Sequence, residues 1–309
     1  MSEREPDYAR ALDALDWATS CAEGRAEPPL EVVPTPDDYV AAAARSVADL
    51  RLRLDRIMMA DDAEAGLDAL LECGALEALL PPVARMVGFS DGEWRHKDVW
   101  KHTKQVVRQA TPKLEVRWAA LLHDIGKVKT RTITPDGQVH FFGHAEVGAR
   151  MFDKLQKRIV LFLPESALER EIRFLILHHL RASQYSSTWT DSAVRRFARE
   201  MGEYLEDLFC LSRADITTKR PERKRKGTKQ IDDLMARVST LAADDAERPL
   251  LPTGLGTALM EGFGLPPSKR IGDIKRNVES AVKAGLVEPY LESEAYIAFL
   301  REHPALLEP

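Results

Sequence analysis

Residues 121–127 read LLHDIGK. They close a segment in which Leu114, Trp118, Leu121, Leu122 and Ile125 recur at i, i+4, i+7, i+8 and i+11, the period of one buried helix face. The spacing predicts a helix that stops at Gly126, a residue suited to a helix C-terminus. The helix carries a His123-Asp124 doublet into apolar company. Imidazole and carboxylate together suit Mn, Fe, Co, Ni, Zn or Mg, and one aspartate can bridge two ions through its two oxygens. A doublet alone is weak evidence, so what matters is whether other ligand-type residues also point inward.

They do. His102 lies three residues after Val99 and four before Val106, on the apolar side of its own helical segment. Asp215 follows Leu208 and Leu211 at i+7 and i+4, which places a carboxylate on a core-facing stripe. A charge buried there is costly unless paired or metal-bound. His179 continues Ile172, Leu175 and Ile176, whereas His178 is rotated by about 100° around the same helix. His144 opens the segment after a short turn-rich stretch. Seven of the eight histidines fall between His96 and His179, leaving only His303 outside. His96, His140 and His303 read as surface or packing residues, and Trp94, Trp100, Trp118 and Trp189 as core.

The chain has 309 residues, 44% hydrophobic and 30% charged, with a formal net charge of -5. That composition describes a globular chain with enough material for about two compact units. Its three cysteines, Cys21, Cys73 and Cys210, form no CxxC pair, which argues against a disulfide framework and a thiolate zinc site. The charged amino terminus and the lack of a ~20-residue apolar run point to a cytoplasmic protein with no membrane partner. No phosphate-binding GxxxxGK[ST], GxGxxG or GxSxG motif is present, which leaves ATPase, dehydrogenase and serine-hydrolase readings without a starting point.

Ala, Leu, Glu and Arg at helical spacing predict a mostly α-helical chain. A first short helix to about Ser20 precedes a linker with prolines at 28, 29, 34 and 36, and helix resumes from about Tyr39 to Leu80. TRTITPDGQVHFF, residues 130–142, has β-branched residues around Pro135-Asp136-Gly137 and predicts a short hairpin. Asp191 or Ser192 is the expected cap of a later helix. Residues 219–229 hold Lys219, Arg220, Arg223, Lys224, Arg225, Lys226 and Lys229 against Glu222. Such a run is either solvated surface or a flexible arm that attracts RNA or another polyanion.

The order His, His-Asp, His, His-His, Asp resembles the HD superfamily of metal-dependent phosphohydrolases. DVWKHT, AALLHDIGKVKT, HFFGHAEVGA, LHHL and SRADI follow one another as in the HD-containing branch of the bacterial tRNA nucleotidyltransferase and poly(A) polymerase family. GLDALLECGALEALLPPVARMVG (66–88) resembles the helical stretch before that family's HD domain. RPLLPTGLGTALMEGFGLPPSKRIGDIKRNVESAVKAGLV (248–287) resembles its carboxy-terminal segment. The resemblance spans roughly residues 50–300. The family's nucleotidyltransferase head, with a Gly-Ser turn and paired carboxylates, would precede residue 50, and neither feature occurs there. Nucleotide addition is therefore not the expected chemistry.

The resemblance implies an HD-type helical bundle with a hairpin insertion and flanking helical regions. The expected divisions are an N-terminal region (1–90), the HD domain (91–218), and a basic arm with a helical C-terminal region (219–309). It further implies one or two divalent ions: a primary site of His102, His123, Asp124 and Asp215, and a second of His144 with His178 or His179, bridged by Asp124. Asp124 and Lys127 are the implied catalytic residues, Lys127 also meeting a phosphate oxygen. Arg181, Arg223, Lys224, Arg225 and Lys226 are further candidate substrate contacts. The implied reaction is hydrolysis of a nucleotide or RNA-type phosphoester through metal-activated water, as a 2′,3′-cyclic phosphodiesterase, nucleotidase or phosphatase. Two other readings stand beside it: a non-catalytic tRNA- or RNA-binding module, and a nuclease or cyclic-dinucleotide phosphodiesterase using the same metal site. The sequence does not set the oligomeric state.

Overall fold

The computed structural model describes residues 6–25, 28–89, 98–247 and 249–308. His96 and Trp94 lie outside these. The chain is mostly helical, as expected, and its one sheet among the described residues is a two-stranded antiparallel hairpin. No helix among the described residues is long and apolar enough to cross a membrane. The chain forms two compact units, Met1–Ala236 and Arg237–Pro309. Both the 1–90 and 91–218 stretches of the sequence reading fall in the first.

The first unit opens with α1 (Tyr8–Ala22), capped by the Asp7 carboxylate, which accepts from the amides of Ala9 and Arg10. Its buried face is mostly alanine, so α4 (Ala63–Glu72) comes close: a Cβ placed on Gly66 would lie 2.6 Å from that of Ala22. Between them run α2 (Pro36–Arg45) and α3 (Val47–Met59). α2 starts earlier than the apolar pattern suggests, because Thr35 and Asp38 form a capping box with Pro36 as the first helical residue. The short α5 (Ala75–Leu79) and α6 (Pro81–Ala84) complete this region.

The centre of the unit is α8 (Leu114–Leu122), whose residues from Val116 to Leu122 are all buried. It packs against α3, α7 (Val99–Gln109), α11 (Ala167–His178) and α13 (Leu205–Ala214). Two polar ties fix its position. Arg117 Nη1 donates to the carbonyls of Met58 (2.6 Å) and Ala60 (2.8 Å), which the end of α3 leaves without helical partners. Trp118 Nε1 donates to Asp55 Oδ1 at 2.7 Å.

After α8 come the single-turn α9 (Lys127–Thr130) and the expected hairpin, β1 (Thr132–Ile133) paired with β2 (Val139–His140), Thr132 opposite His140. α10 (His144–Arg158) follows. α12 (Asp191–Met201) is capped by Thr190, one residue before the expected position, its hydroxyl accepting from Ala193. The basic run is not a flexible arm. It forms the first turns of α14 (Pro221–Glu247), with Pro221 at the helix start, and Lys and Arg are good helix formers. Gly227 packs on Ile216, and Gln230 donates to the carbonyls of Ser183 and Tyr185, holding these turns to the first unit.

The second unit contains α15 (Leu255–Phe263), α16 (Lys269–Lys283) and α17 (Ser293–Glu302) around Leu255, Leu259, Ile274, Val278, Tyr296 and Leu300. The buried Tyr296 hydroxyl donates to Glu288 O at 3.0 Å.

α8 also ends earlier than the glycine suggests. Its last helical residue is Leu122, and Gly126 has φ -68, ψ -23, a conformation open to any residue. What forbids a side chain at 126 is the first turn of α10: a Cβ would lie 2.0 Å from His144 O and 2.8 Å from Gly148 N, both backbone atoms. Gly126→Ala is accordingly expected to destabilise the chain by roughly 1–3 kcal/mol or more, as overpacking does. Urea unfolding monitored by circular dichroism checks this, and a variant as stable as the parent refutes the close-approach account.

Candidate metal centre

Five of the six polar side chains that meet beside α8 sit at helix ends. His123 is the residue after α8, followed by Asp124. His179 follows α11, Asp215 follows α13, and His144 is the first residue of α10, behind Gly143 with φ +70. Only His102 comes from within a helix, α7. The C-termini of α8, α11 and α13 leave unpaired carbonyls, and the structure uses two of them. His123 Nδ1 lies 2.8 Å from Ala120 O, and His179 Nδ1 lies 2.8 Å from Ile176 O. His144 Nδ1 is 2.7 Å from Phe141 O, and His102 Nδ1 is 2.8 Å from the Thr217 hydroxyl. A carbonyl can only accept, so in three of the four rings Nδ1 carries the proton. That arrangement orients Nε2 and is the one seen behind metal-binding histidines.

The four Nε2 atoms converge on two carboxylates. His102 Nε2 stands 2.9 Å from Asp215 Oδ1 and 3.5 Å from Asp124 Oδ2. His123 Nε2 is 3.2 Å from Asp124 Oδ2 and 3.7 Å from Asp215 Oδ1. His144 Nε2 is 3.6 Å from the other Asp124 oxygen and 3.2 Å from His179 Nε2. The ligand-type atoms of His102, His123 and Asp124 form one group able to hold an ion, and those of Asp124, His144 and His179 a second. Asp124 belongs to both.

Electrostatics follow from this crowding. Burial works against a proton on His123, but the Asp124 and Asp215 carboxylates outweigh it and push its pKa up to about 10. Burial, together with the His123 cation, brings His179 down to about 4. Asp124 and Asp215 would be raised by burial, yet the facing imidazoles hold both well below the usual carboxylate range. Two ionised, inward carboxylates thus call for positive charge, as do the negative ends of three helix dipoles. His123 Nε2 is fully buried and makes no hydrogen bond, despite its closeness to Asp124. A proton on this nitrogen and a divalent ion are alternative ways to satisfy the same ionised oxygens, the ion displacing the proton, so the donor set fits a divalent metal.

Residues 99–219, which carry all of these groups, match the family model described as HD domain. This stretch is an HD domain. Two relatives extend beyond it. The A-adding tRNA nucleotidyltransferase of Deinococcus radiodurans is 30% identical over 257 residues, covering 80% of this chain and 57% of that protein. The CC-adding tRNA nucleotidyltransferase of Thermus thermophilus is 30% identical over 259 residues, covering 80% and 55%. A multifunctional CCA protein of Azoarcus is 38% identical over 96 residues, covering 29% of this chain and 22% of its own. The chain thus spans just over half the length of the first two relatives.

The HD domain does not gather every candidate residue. His178 belongs to neither ligand group and lies against the Phe174 ring, centroids 4.3 Å apart, consistent with its 100° offset from His179. Lys127 Nζ stands 2.6 Å from Asp124 Oδ2 and 5.6 Å from the Phe141 ring centroid. Arg181 is paired with Glu200 at 2.5 Å. Arg223, Lys224, Arg225 and Lys226 are exposed on α14. His140 stacks on Phe142, and His303 on Phe299. Thr217, two residues beyond Asp215, was not singled out by sequence. Neither was a second acidic group in the domain, Glu115, Glu171 and Asp207, drawn from three helical segments.

Glu171 in this second group has a titration that can be measured. Burial, then its hydrogen bond with Asp207, lifts its pKa from the usual 4.5 to about 8. The folded chain therefore keeps a proton that the unfolded chain releases, so this group's contribution to stability is complete below about pH 4.5 and is lost as pH rises through 8. Glu171→Gln is expected to match the parent's melting temperature at pH 5 and exceed it at pH 8.5. Equal melting temperatures at both pH values would refute the shift.

Proposed function

We propose that this HD domain is a metal-dependent phosphohydrolase acting on a nucleotide or RNA-type phosphoester. The observation that carries the reading is the set of four imidazoles whose Nδ1 atoms are engaged from behind and whose Nε2 atoms face Asp124 and Asp215. On this reading His102, His123, Asp124 and Asp215 hold one divalent ion, and His144 and His179 hold a second with Asp124 between them. The nitrogen and carboxylate donors favour Mn, Fe, Co, Ni, Zn or Mg. An ion held there supplies Lewis acidity toward a phosphoryl oxygen and makes water a nucleophile near neutral pH.

The chain's own residues do the rest. Asp124, buried and ionised, anchors both groups. Lys127, partly exposed beside that carboxylate, is the cation placed to meet a phosphoryl oxygen and to offset charge that builds on it. Thr217 holds the His102 ring by Nδ1, so its loss should loosen the first group without removing a donor. Asp215 is the more accessible of the two carboxylates, 31% exposed against 1% for Asp124.

Metal analysis together with turnover of 2′,3′-cyclic AMP tests the proposal. The parent, loaded with Mn, Ni or Co, is expected to retain metal and hydrolyse the substrate, and Asp124→Ala to lose both. His179→Ala should lower metal content, while His178→Ala keeps it. Thr217→Val should weaken metal affinity by about 10-fold, as loss of a group behind a ligand does. Full metal retention in Asp124→Ala, or no turnover of any phosphoester by the loaded parent, would defeat the reading.

A second reading, RNA binding, is supported by the exposed basic turns of α14 and by the tRNA nucleotidyltransferases among the relatives. Neutralising Arg223, Lys224, Arg225 and Lys226 removes four positive charges. tRNA affinity in a filter-binding assay should then fall and its salt slope flatten by up to about four. An unchanged slope would remove α14 from the interface.

A further inference from the structure

The first unit has a concave site that none of the residues of the metal centre lines. It is a cleft of about 400 Å³ between α6, α9 and α10. That is within the size range of small-molecule sites, about 300–1,000 Å³. Four cations surround it: Arg85 just past α6, Lys129 on α9, and Lys154 and Arg158 on α10. All four are exposed, and no ion pair joins any of them to a carboxylate among the described residues. Arg158 is held in place, its Nη2 donating to Ala78 O at 3.0 Å. Between the cations lies an apolar floor of Met151 and Leu155, faced by Pro81 and Pro82.

The geometry on α10 explains the mixture. Residues 151, 154, 155 and 158 fall at i, i+3, i+4 and i+7, so the two apolar and two basic side chains share one face. Four like charges around one cleft repel each other, and an anion of matching charge relieves that repulsion. A single phosphodiester brings one negative charge, whereas a terminal phosphate adds roughly -1.5 to -2 on its own. The apolar floor has no use for a bare polyphosphate but suits a flat base, and methionine sulfur packs well on aromatic rings.

From these observations we propose that the cleft binds a nucleoside di- or triphosphate, its phosphates among Arg85, Lys129, Lys154 and Arg158 and its base on Met151 and Leu155. This is a binding site separate from the metal centre, and it stands whether or not that centre hydrolyses phosphoesters.

Isothermal titration of the full chain with ATP, in EDTA so that no metal bridges the phosphates elsewhere, tests the proposal. ATP is expected to bind more tightly than AMP. The double variant Arg85→Ala/Lys154→Ala should weaken ATP by about 10-fold or more, since each lost contact is charge-assisted. Lys101→Ala, a cation exposed on α7, should leave it unchanged. If the double variant does not fold, Lys129→Glu alone carries the test, with the same loss expected. No ATP binding by the parent, equal affinity for ATP and AMP, or unchanged affinity in the variants overturns the proposal. So does a single-stranded RNA oligonucleotide that binds through the same residues more tightly than ATP, which would make the cleft a track for a phosphodiester backbone.

Discussion

Much of the first unit is arranged around one buried carboxylate. Asp124 has almost no solvent contact, yet it is ionised, and an ionised carboxylate in such surroundings costs several kcal/mol unless partners compensate. Its partners arrive from separate pieces of chain: His102 from α7, His123 beside it, Lys127 from α9 and His144 from α10. Each helix is held by apolar packing, but the ends of the helices are held by what Asp124 and Asp215 demand. The helices supply carbonyls as well as positions, since free C-terminal carbonyls take up the rear nitrogens of two histidines.

That arrangement leaves little room for adjustment. Gly126 lets the backbone of the HDIGK turn approach that of α10 to a distance no side chain at 126 would allow, and this crossing sets where His144 stands. The buried Arg117, reaching back to the end of α3, and Trp118, bonded to Asp55, fix α8 from the other side. A side chain many residues from the carboxylates is thus part of their placement.

Helical phase made most of this legible in the sequence. His102, Asp215 and His179 lie at positions that continue apolar stripes, and the same argument put His178 a third of a turn away, though only the packed helix shows it against Phe174. The hairpin was legible from its turn residues. Gly126 was misread because a glycine near a helix end has two possible uses, conformational freedom and close approach, and local sequence does not tell them apart. The basic run was read as a possible loose arm because charge density outweighed helix propensity, although Pro221 marks a helix start. Thr217 and the Glu115, Glu171 and Asp207 group were invisible for a simpler reason. Their meaning lies in partners far along the chain, with no periodicity to announce them.

The candidate metal centre draws its side chains from positions as far apart as 102 and 215, with Thr217 behind them. Contacts of such separation form late and slow folding, because a long loop must close before they are gained. No fragment shorter than this span contains both His102 and Asp215, so the complete set of ligands cannot exist in a partly assembled chain. Any ligand that recognises the assembled set therefore binds the folded form alone, and by mass action it shifts the folding equilibrium of the whole unit rather than of one loop.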